Sequence, residues 1–171
     1  MRPGAGSPDD LITLEPNAFR VFAAGEQSGG VLHGSGGPKM ALTVERFDHI
    51  VLNCRDIEAT AAWYERVLGM RRETFGPSRR TALCFGQQKI NLRPVGALAD
   101  DPDWFTGALE AAGSEDLCFI TRAGPDDVRA HLAACGVEVI SGPVTKVGAL
   151  GKMTSHYCRD VDGNLIEIAV Y

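Results

Sequence analysis

Four polar side chains stand in segments of this 171-residue chain that are otherwise apolar. Imidazole and carboxylate groups at such positions can ligate a divalent metal ion or move protons. Burying a polar group without a partner costs roughly 2–7 kcal/mol, so we predict that the four share one polar site. They are His49 in DHIVLN, Asn91 in INLRP, Asp116 in DLCFIT and Glu167 in LIEIAVY.

Two of these positions have ordinary structural alternatives. His49 could be a buried strand histidine bonded to the backbone, and Asp116 could accept from a loop or an N-terminal amide. Glu167 points more firmly to a site, because a glutamate flanked by leucine and isoleucine can hardly be buried ionised unless a cation or a donor faces it. We therefore predict that His49 and Glu167 are metal ligands.

The first half of the chain predicts the elements that position these groups. β-Branched and aromatic residues favour a strand over residues 43–53. Asp56 stands where a helix N-cap accepts orphan amides, and Gly69 suits the left-handed position after the last turn. Three more strands are predicted, over 71–75, 80–85 and 89–93, and these complete a βαβββ unit.

The second half repeats this order of elements. A strand is predicted over 116–121 and a helix from Pro125 to Gly136. Strands follow near 137–140, 152–158 and 165–170, the last two joined by the turn sequence DVDGN.

The repeat pairs the polar positions. His49 to Gly69 and Asp116 to Gly136 are each 20 positions. We therefore predict an α+β protein of two tandem βαβββ modules, in which His49 corresponds to Asp116 and Asn91 to Glu167.

Composition distinguishes the N-terminal residues from the rest of the chain and argues against two classes of partner. Glycine and proline interrupt every apolar segment in residues 1–39, which predicts a flexible extension before a domain at 40–171. A net charge of −5 gives no basic surface for nucleic acid or anionic membrane. The five cysteines form no CxxC pair, and Asp9 and Asp10 stand where a signal peptide needs positive charge, so we expect a cytoplasmic protein.

Five segments carry a resemblance to a known family. With these segments the chain resembles the vicinal oxygen chelate superfamily over about residues 44–171, and within it the glyoxalase domain-containing protein 5 group, which shares the KINL, SxDLC and DxDxNLIE strings. The resemblance implies that the two modules form an open barrel around a divalent metal ion. The segments are FDHIVLNCRDIEATAAWYERVLGM, QQKINLRP, GSEDLCFIT, CGVEVISGPV and SHYCRDVDGNLIEIAVY.

The resemblance implies that the metal ligands occupy His49, Asn91, Asp116 and Glu167. The chain departs from the pattern at two of them, since glyoxalase I would show a carboxylate at Asn91 and a histidine at Asp116. One nitrogen and up to three oxygens form a hard ligand set, suited to Mn²⁺, Mg²⁺, Fe²⁺ or Ni²⁺, with Zn²⁺ also open.

Further residues are assigned to the substrate. Arg93 shares a strand face with Asn91 and could reach an anionic group, or could be solvated at the strand end. The resemblance places Ser155 and Tyr157 inside the barrel and leaves His156 facing out, without chemistry. Residues 146–152 could close over a ligand, or could be a mobile hairpin loop.

The leading functional hypothesis is a metal-dependent lyase or isomerase of the glyoxalase type. It would act on a small vicinal-oxygen substrate through an enediolate-type intermediate, with Glu167 and Asp116 as the candidate catalytic carboxylates. An extradiol-type, ring-cleaving dioxygenase and a metal-free drug- or metabolite-binding resistance protein are the alternatives. A homodimer is expected, because open-barrel edges and sheet faces need covering. The resemblance implies that the metal site can then combine strands of both subunits.

Overall fold

The computed structural model describes residues 42–100 and 103–171. The predicted N-terminal extension, residues 1–39, lies outside the described residues. Residues 44–171 form one compact unit. No helix in the described ranges is long and apolar enough to span a membrane.

The first module has the predicted order of one helix and four strands. Its sheet runs β1-β4-β3-β2, with β1 parallel to β4 and the other pairs antiparallel. The elements are β1 His49–Cys54, α1 Ile57–Leu68, β2 Arg71–Phe75, β3 Arg80–Phe85 and β4 Gln88–Pro94.

The second module repeats this topology after a connector that contains the short helix α2. Its sheet runs β5-β8-β7-β6, with β5 parallel to β8. This confirms the predicted α+β fold of two tandem βαβββ modules. The elements are α2 Ala97–Asp100, β5 Asp116–Ile120, α3 Pro125–Ala134, β6 Ser141–Gly148, β7 Gly151–Arg159 and β8 Leu165–Val170.

The ends of α1 follow from their local sequence. Asp56 is the N-cap, and its Oδ1 accepts from the backbone N–H groups of Glu58 at 2.8 Å and Ala59 at 3.0 Å. Gly69 ends the helix at φ 63°, a conformation that costs a glycine little. Both boundary residues were predicted.

The strand before α1 is shorter than predicted. It begins at His49, and residues 42–48 are exposed and outside any strand. The β-branched and aromatic residues that favoured a longer strand find no neighbouring strand to pair with there.

The predicted strand at residues 137–140 is wrong, because that stretch leads out of the preceding helix. The Val137 N–H donates to Leu132 O at 2.9 Å, closing the end of α3. Pairing with β7 begins at Ile140, whose N–H donates to Tyr157 O at 2.8 Å, and the strand β6 then extends to Gly148.

Residues 146–152, predicted to be a loop, are mostly strand. Lys146 to Gly148 pair with Gly151 to Met153, which leaves Ala149 and Leu150 as the turn.

Both modules bury one sheet face in a single hydrophobic core. Leu52 and Val67 from the first module belong to the same core as Leu132 and Ile168 from the second. Each helix lies against its own sheet on this side. The opposite face of each sheet therefore points away from the shared core.

A buried polar network in the turn between β7 and β8 ties the modules together. The Asp162 carboxylate accepts from the Arg55 backbone N–H at 3.1 Å and from the Thr60 hydroxyl at 3.0 Å. The Asp160 carboxylate accepts from the Tyr64 hydroxyl at 3.0 Å. These bonds join the second module's turn to α1 and its N-terminal approach.

Both oxygens of the Asp160 carboxylate accept hydrogen bonds from several donors. Its Oδ1 accepts the backbone N–H groups of Asp162 and Asn164, both at 2.9 Å, and its Oδ2 also accepts from Asn164 Nδ2 at 2.8 Å. Burial and the Asp160 charge raise the pKa of Tyr64, which keeps its hydroxyl protonated as a donor.

Replacing Asp160 with asparagine should destabilise the protein. The asparagine side chain would place its own N–H group opposite N–H and O–H groups that now donate to the Asp160 carboxylate. We expect the Asp160→Asn change to lower the free energy of unfolding by about 1–3 kcal/mol, as for a buried group left unsatisfied. Urea denaturation measures this.

The matched control is Asp126→Asn, because Asp126 is an exposed aspartate of α3 whose surface ion pair with Arg129 contributes little. Equal unfolding midpoints for the two variants would show that the network does not stabilise the fold.

Candidate functional site

The predicted pairing of the four polar positions is present in the strand registers. Val51 of β1 lies opposite Asn91 of β4, and Cys118 of β5 lies opposite Glu167 of β8. His49 and Asp116 each stand two residues before these partners, on the same strand faces. Asn91 therefore occupies in the first sheet the place that Glu167 occupies in the second.

All four positions lie on the sheet faces turned away from the core. We call these the first outer face, which carries His49, Val51 and Asn91, and the second outer face, which carries Asp116 and Glu167. The alternate residues of the same strands, such as Leu52 and Ile166, are fully buried in the core.

His49, Asp116 and Glu167 do not converge on one metal site within the described part of the chain. No group of three or more His, Cys, Asp or Glu side chains that could hold a metal ion occurs among residues 42–100 and 103–171. The reason is the shared core, which turns the two outer faces apart. The structure presents two half-sites instead.

In the first half-site His49 is exposed, and its side chain retains 45% of its accessible surface. This excludes the alternative of a buried strand histidine. Its Nδ1 lies 2.8 Å from the Asp48 Oδ1, and this hydrogen bond holds the pKa of Asp48 below its usual value. An ionised carboxylate only accepts, so Nδ1 carries the hydrogen and the Nε2 lone pair remains available to a ligand.

Asn91 supplies a second open acceptor on the same face. Its side chain is half-buried, and its Oδ1 is shielded from solvent without a hydrogen-bond partner. A shielded acceptor of this kind favours a cation or a donor brought from outside the chain.

The second half-site centres on Glu167, which retains only 9% of its accessible surface. Its Oε1 has no hydrogen-bond partner, and the Ser155 hydroxyl on the same face is also buried and unpartnered. Asp116 is exposed. Of the four predicted positions, Glu167 alone is therefore a buried residue.

Burial and the Glu167 carboxylate raise the pKa values of two neighbouring side chains. Burial and the Glu167 hydrogen bond raise the pKa of Tyr157 to about 12. Burial and the Glu167 charge raise the pKa of the Cys118 thiol to about 11. Both groups stay protonated at neutral pH, so both can donate toward Glu167 or toward a bound oxygen.

Arg93 is buried, which excludes the alternative of a solvated strand end. Its Nε and Nη2 donate to Asn53 Oδ1 at 2.9 and 2.7 Å, and its Nη1 donates to Phe105 O at 2.9 Å. Glu110 lies 3.7 Å from its Nε. The arginine therefore anchors the connector to the first outer face, a role that sequence reasoning missed.

His156 lies on the opposite face from Ser155 and Tyr157, as predicted, but it is not turned to solvent. It is 1% exposed, on the core side of β7 that packs against α3, and neither ring nitrogen has a partner. Burial lowers its pKa, so the ring is neutral at physiological pH.

A cavity of about 210 Å³ opens beside Asn91 on the first outer face. Phe75, Trp104 and Phe105 provide aromatic walls, and Val51 adds an aliphatic one. Sequence reasoning assigned no role to Trp104. The sequence feature that could have identified it is the Trp104–Phe105 pair, which follows an acidic stretch that contains proline.

A second apolar cavity, of about 390 Å³, lies between the two modules near the end of α1 and the start of α3. None of the four predicted positions lines it. It therefore contributes nothing to the half-sites.

Comparisons with known proteins find relatives that match about three quarters of the chain. The chain is 42% identical over 130 residues to a virulence protein of Salmonella typhimurium, covering 76% of this chain and 87% of that protein. It is 41% identical over 130 residues to a glyoxalase domain-containing protein of Mycosarcoma maydis, covering 76% and 70%. An integron cassette protein from the mobile metagenome of V. cholerae superposes with a TM-score of 0.72 at 42% identity, covering 77% and 99%.

A family model matches residues 46–168, which span both modules and all four polar positions. The chain belongs to the Glyoxalase/Bleomycin resistance protein/Dioxygenase superfamily.

Proposed function

We propose that this protein is a divalent-metal-dependent lyase or isomerase of the glyoxalase type, acting on a small substrate with vicinal oxygens. One observation carries the proposal: Glu167 is buried with its Oε1 unpartnered, on a face that turns away from the core. A buried carboxylate oxygen without a donor of its own is stabilised when a cation or an incoming donor meets it.

The residues present suit a metal ion. His49 offers Nε2, Asn91 offers an unpartnered amide oxygen and Glu167 offers an unpartnered carboxylate oxygen, with Asp116 exposed nearby on the second outer face. Such a set of one nitrogen and several oxygens fits Mn²⁺, Mg²⁺, Fe²⁺, Ni²⁺ or Zn²⁺. When bound, the ion would supply Lewis-acid polarisation of the substrate oxygens.

The half-sites are completed by pairing two copies of the chain. A two-fold dimer can place the first outer face of each copy against the second outer face of its partner, which forms two equivalent sites. Both faces also expose apolar side chains that an interface would cover: Val51 retains 40% and Ile120 54% of their accessible surface. We therefore propose a homodimer with composite sites.

Each of several side chains has its own proposed role in the reaction. Glu167 is the proposed base that moves a proton at the carbon beside the substrate oxygens, with Asp116 as the second candidate. Tyr157, protonated at neutral pH, and Ser155 would donate to substrate oxygens. Arg93, held by Asn53, would orient the first outer face and present its charge to the substrate.

A metal-free drug- or metabolite-binding protein is the second candidate. It is favoured by the departures at Asn91 and Asp116 and by the absence of three converging His, Cys, Asp or Glu groups among residues 42–100 and 103–171. An extradiol-type dioxygenase ranks lower, since only His49 among the four positions is a histidine.

The relationships also support a finer assignment. The KINL, SxDLC and DxDxNLIE strings favour the glyoxalase domain-containing protein 5 group. Five free cysteines suit a reducing compartment, so we propose a cytoplasmic location.

Substituting Glu167→Gln should abolish metal binding and turnover, because the amide keeps the shape of the side chain but not its charge. Elemental analysis after dialysis against Mn²⁺ or Ni²⁺ measures the stoichiometry. Glu138→Gln is the control, since Glu138 is an exposed glutamate outside both outer faces. One ion per subunit retained in the Glu167→Gln protein would contradict the assignment.

Composite sites predict complementation between two inactive variants. His49→Ala and Glu167→Gln proteins should each lack metal. Co-expressed at equal levels, about half of the dimers should be mixed, and each mixed dimer should hold one intact site of two, giving about a quarter of the wild-type metal content. Metal content at the level of the single variants would show that the two residues do not meet across the interface.

A further inference from the structure

We propose that the cavity beside Asn91 holds an aromatic ring of the substrate, so that the substrate class is a small aromatic molecule with vicinal oxygens, one of them anionic. This inference rests on the proposed function, because it places the ring next to the half-site that would receive the oxygens.

The size and walls of the cavity fit one ring. A volume of about 210 Å³ exceeds the roughly 150 Å³ of an apolar cavity that accepts benzene. Phe75, Trp104 and Phe105 line it with Val51 and Leu92. Aromatic walls of this kind favour a flat ring, which gains edge-to-face or offset-stacked contacts beyond the burial of its area.

The walls are held in place by two arginines of the sheet. The Arg80 guanidinium lies 3.9 Å from the centre of the Trp104 ring, and Arg80 Nη2 donates to Asp103 O at 3.5 Å. Arg93 Nη1 donates to Phe105 O at 2.9 Å. The connector is thereby fixed over the first outer face, which makes the cavity a preformed feature of the fold.

The Phe105 side chain leaves most of its surface free for a ligand to contact. Its side chain retains 88% of its accessible surface although its own backbone is bound by a buried arginine. A large apolar ring held in solvent on an ordered backbone is typical of a surface that a ligand or partner covers.

Polar groups at the rim match the oxygens of such a substrate. Asn91 lines the cavity, and its Oδ1 is unpartnered. Lys89, the register partner of His49, holds its Nζ 4.0 Å from the centre of the Phe75 ring. A substrate ring against Phe75 would therefore bring an anionic oxygen within reach of Lys89 and toward His49.

Mandelate and lactate test this inference, because they share the same 2-hydroxy carboxylate and differ in a phenyl against a methyl group. Isothermal titration of the 171-residue chain, with and without Mn²⁺, should show mandelate binding at least tenfold more tightly than lactate. Phe105→Ala and Trp104→Ala should reduce mandelate affinity about tenfold and leave lactate affinity and metal content unchanged.

Leu150→Ala is the control, since Leu150 is 85% exposed in the β6–β7 turn. Phe105→Ala tests the cavity even if Trp104→Ala fails to fold, because the Phe105 side chain packs little. Equal affinities for the two acids, or an unchanged mandelate affinity in Phe105→Ala, would overturn the inference while leaving the metal site intact. A protein that prefers mandelate in the same way but takes up no metal would support the cavity and overturn the proposed enzyme.

Discussion

The structure depends on a cluster of buried carboxylates in the turn between β7 and β8. Asp160 and Asp162 accept hydrogen bonds from Tyr64, Thr60 and the backbone of Arg55, so that the second module is fastened to the helix of the first. Each carboxylate is buried but fully supplied with donors, which makes the network favourable only in this one arrangement. The modules are therefore held with their cores merged and their outer faces apart.

That arrangement decides where chemistry can occur. Because one core serves both modules, His49 and Asn91 lie on one outer face and Asp116 and Glu167 on another. Asp160 and Glu167 show the contrast between a carboxylate that is satisfied within the chain and one that we propose to be functional. The first accepts four hydrogen bonds within the chain, whereas the second keeps a buried oxygen without any. The unmet acceptor is what an incoming ion or substrate would satisfy.

Much of the fold could be read from local sequence. Asp56 and Gly69 determine the ends of α1 through interactions within a few residues, and the equal spacing in the two halves identified the module repeat and the pairing of polar positions. The strand β6 was misplaced because residues 137–140 alternate like a strand, while their first N–H is taken by the end of α3. Local pattern cannot show which partner an amide finds.

The site was less predictable, for a related reason. The chain order showed that Asn91 and Glu167 are equivalent, but not that a shared core turns their faces apart. Arg93 could not be recognised as an anchor, since Asn53 and the Phe105 carbonyl are its partners only in three dimensions. The DVDGN segment was recognised as a turn, and its bonds to α1 were invisible without the fold.

We propose that the metal site joins two copies of the chain. A crystal of the protein grown with Mn²⁺, with anomalous diffraction data collected at the manganese edge, tests it most directly. We expect an anomalous peak contacted by His49 of one subunit and Glu167 of its partner. No peak at these residues, or a peak whose protein ligands all come from one chain, would contradict it.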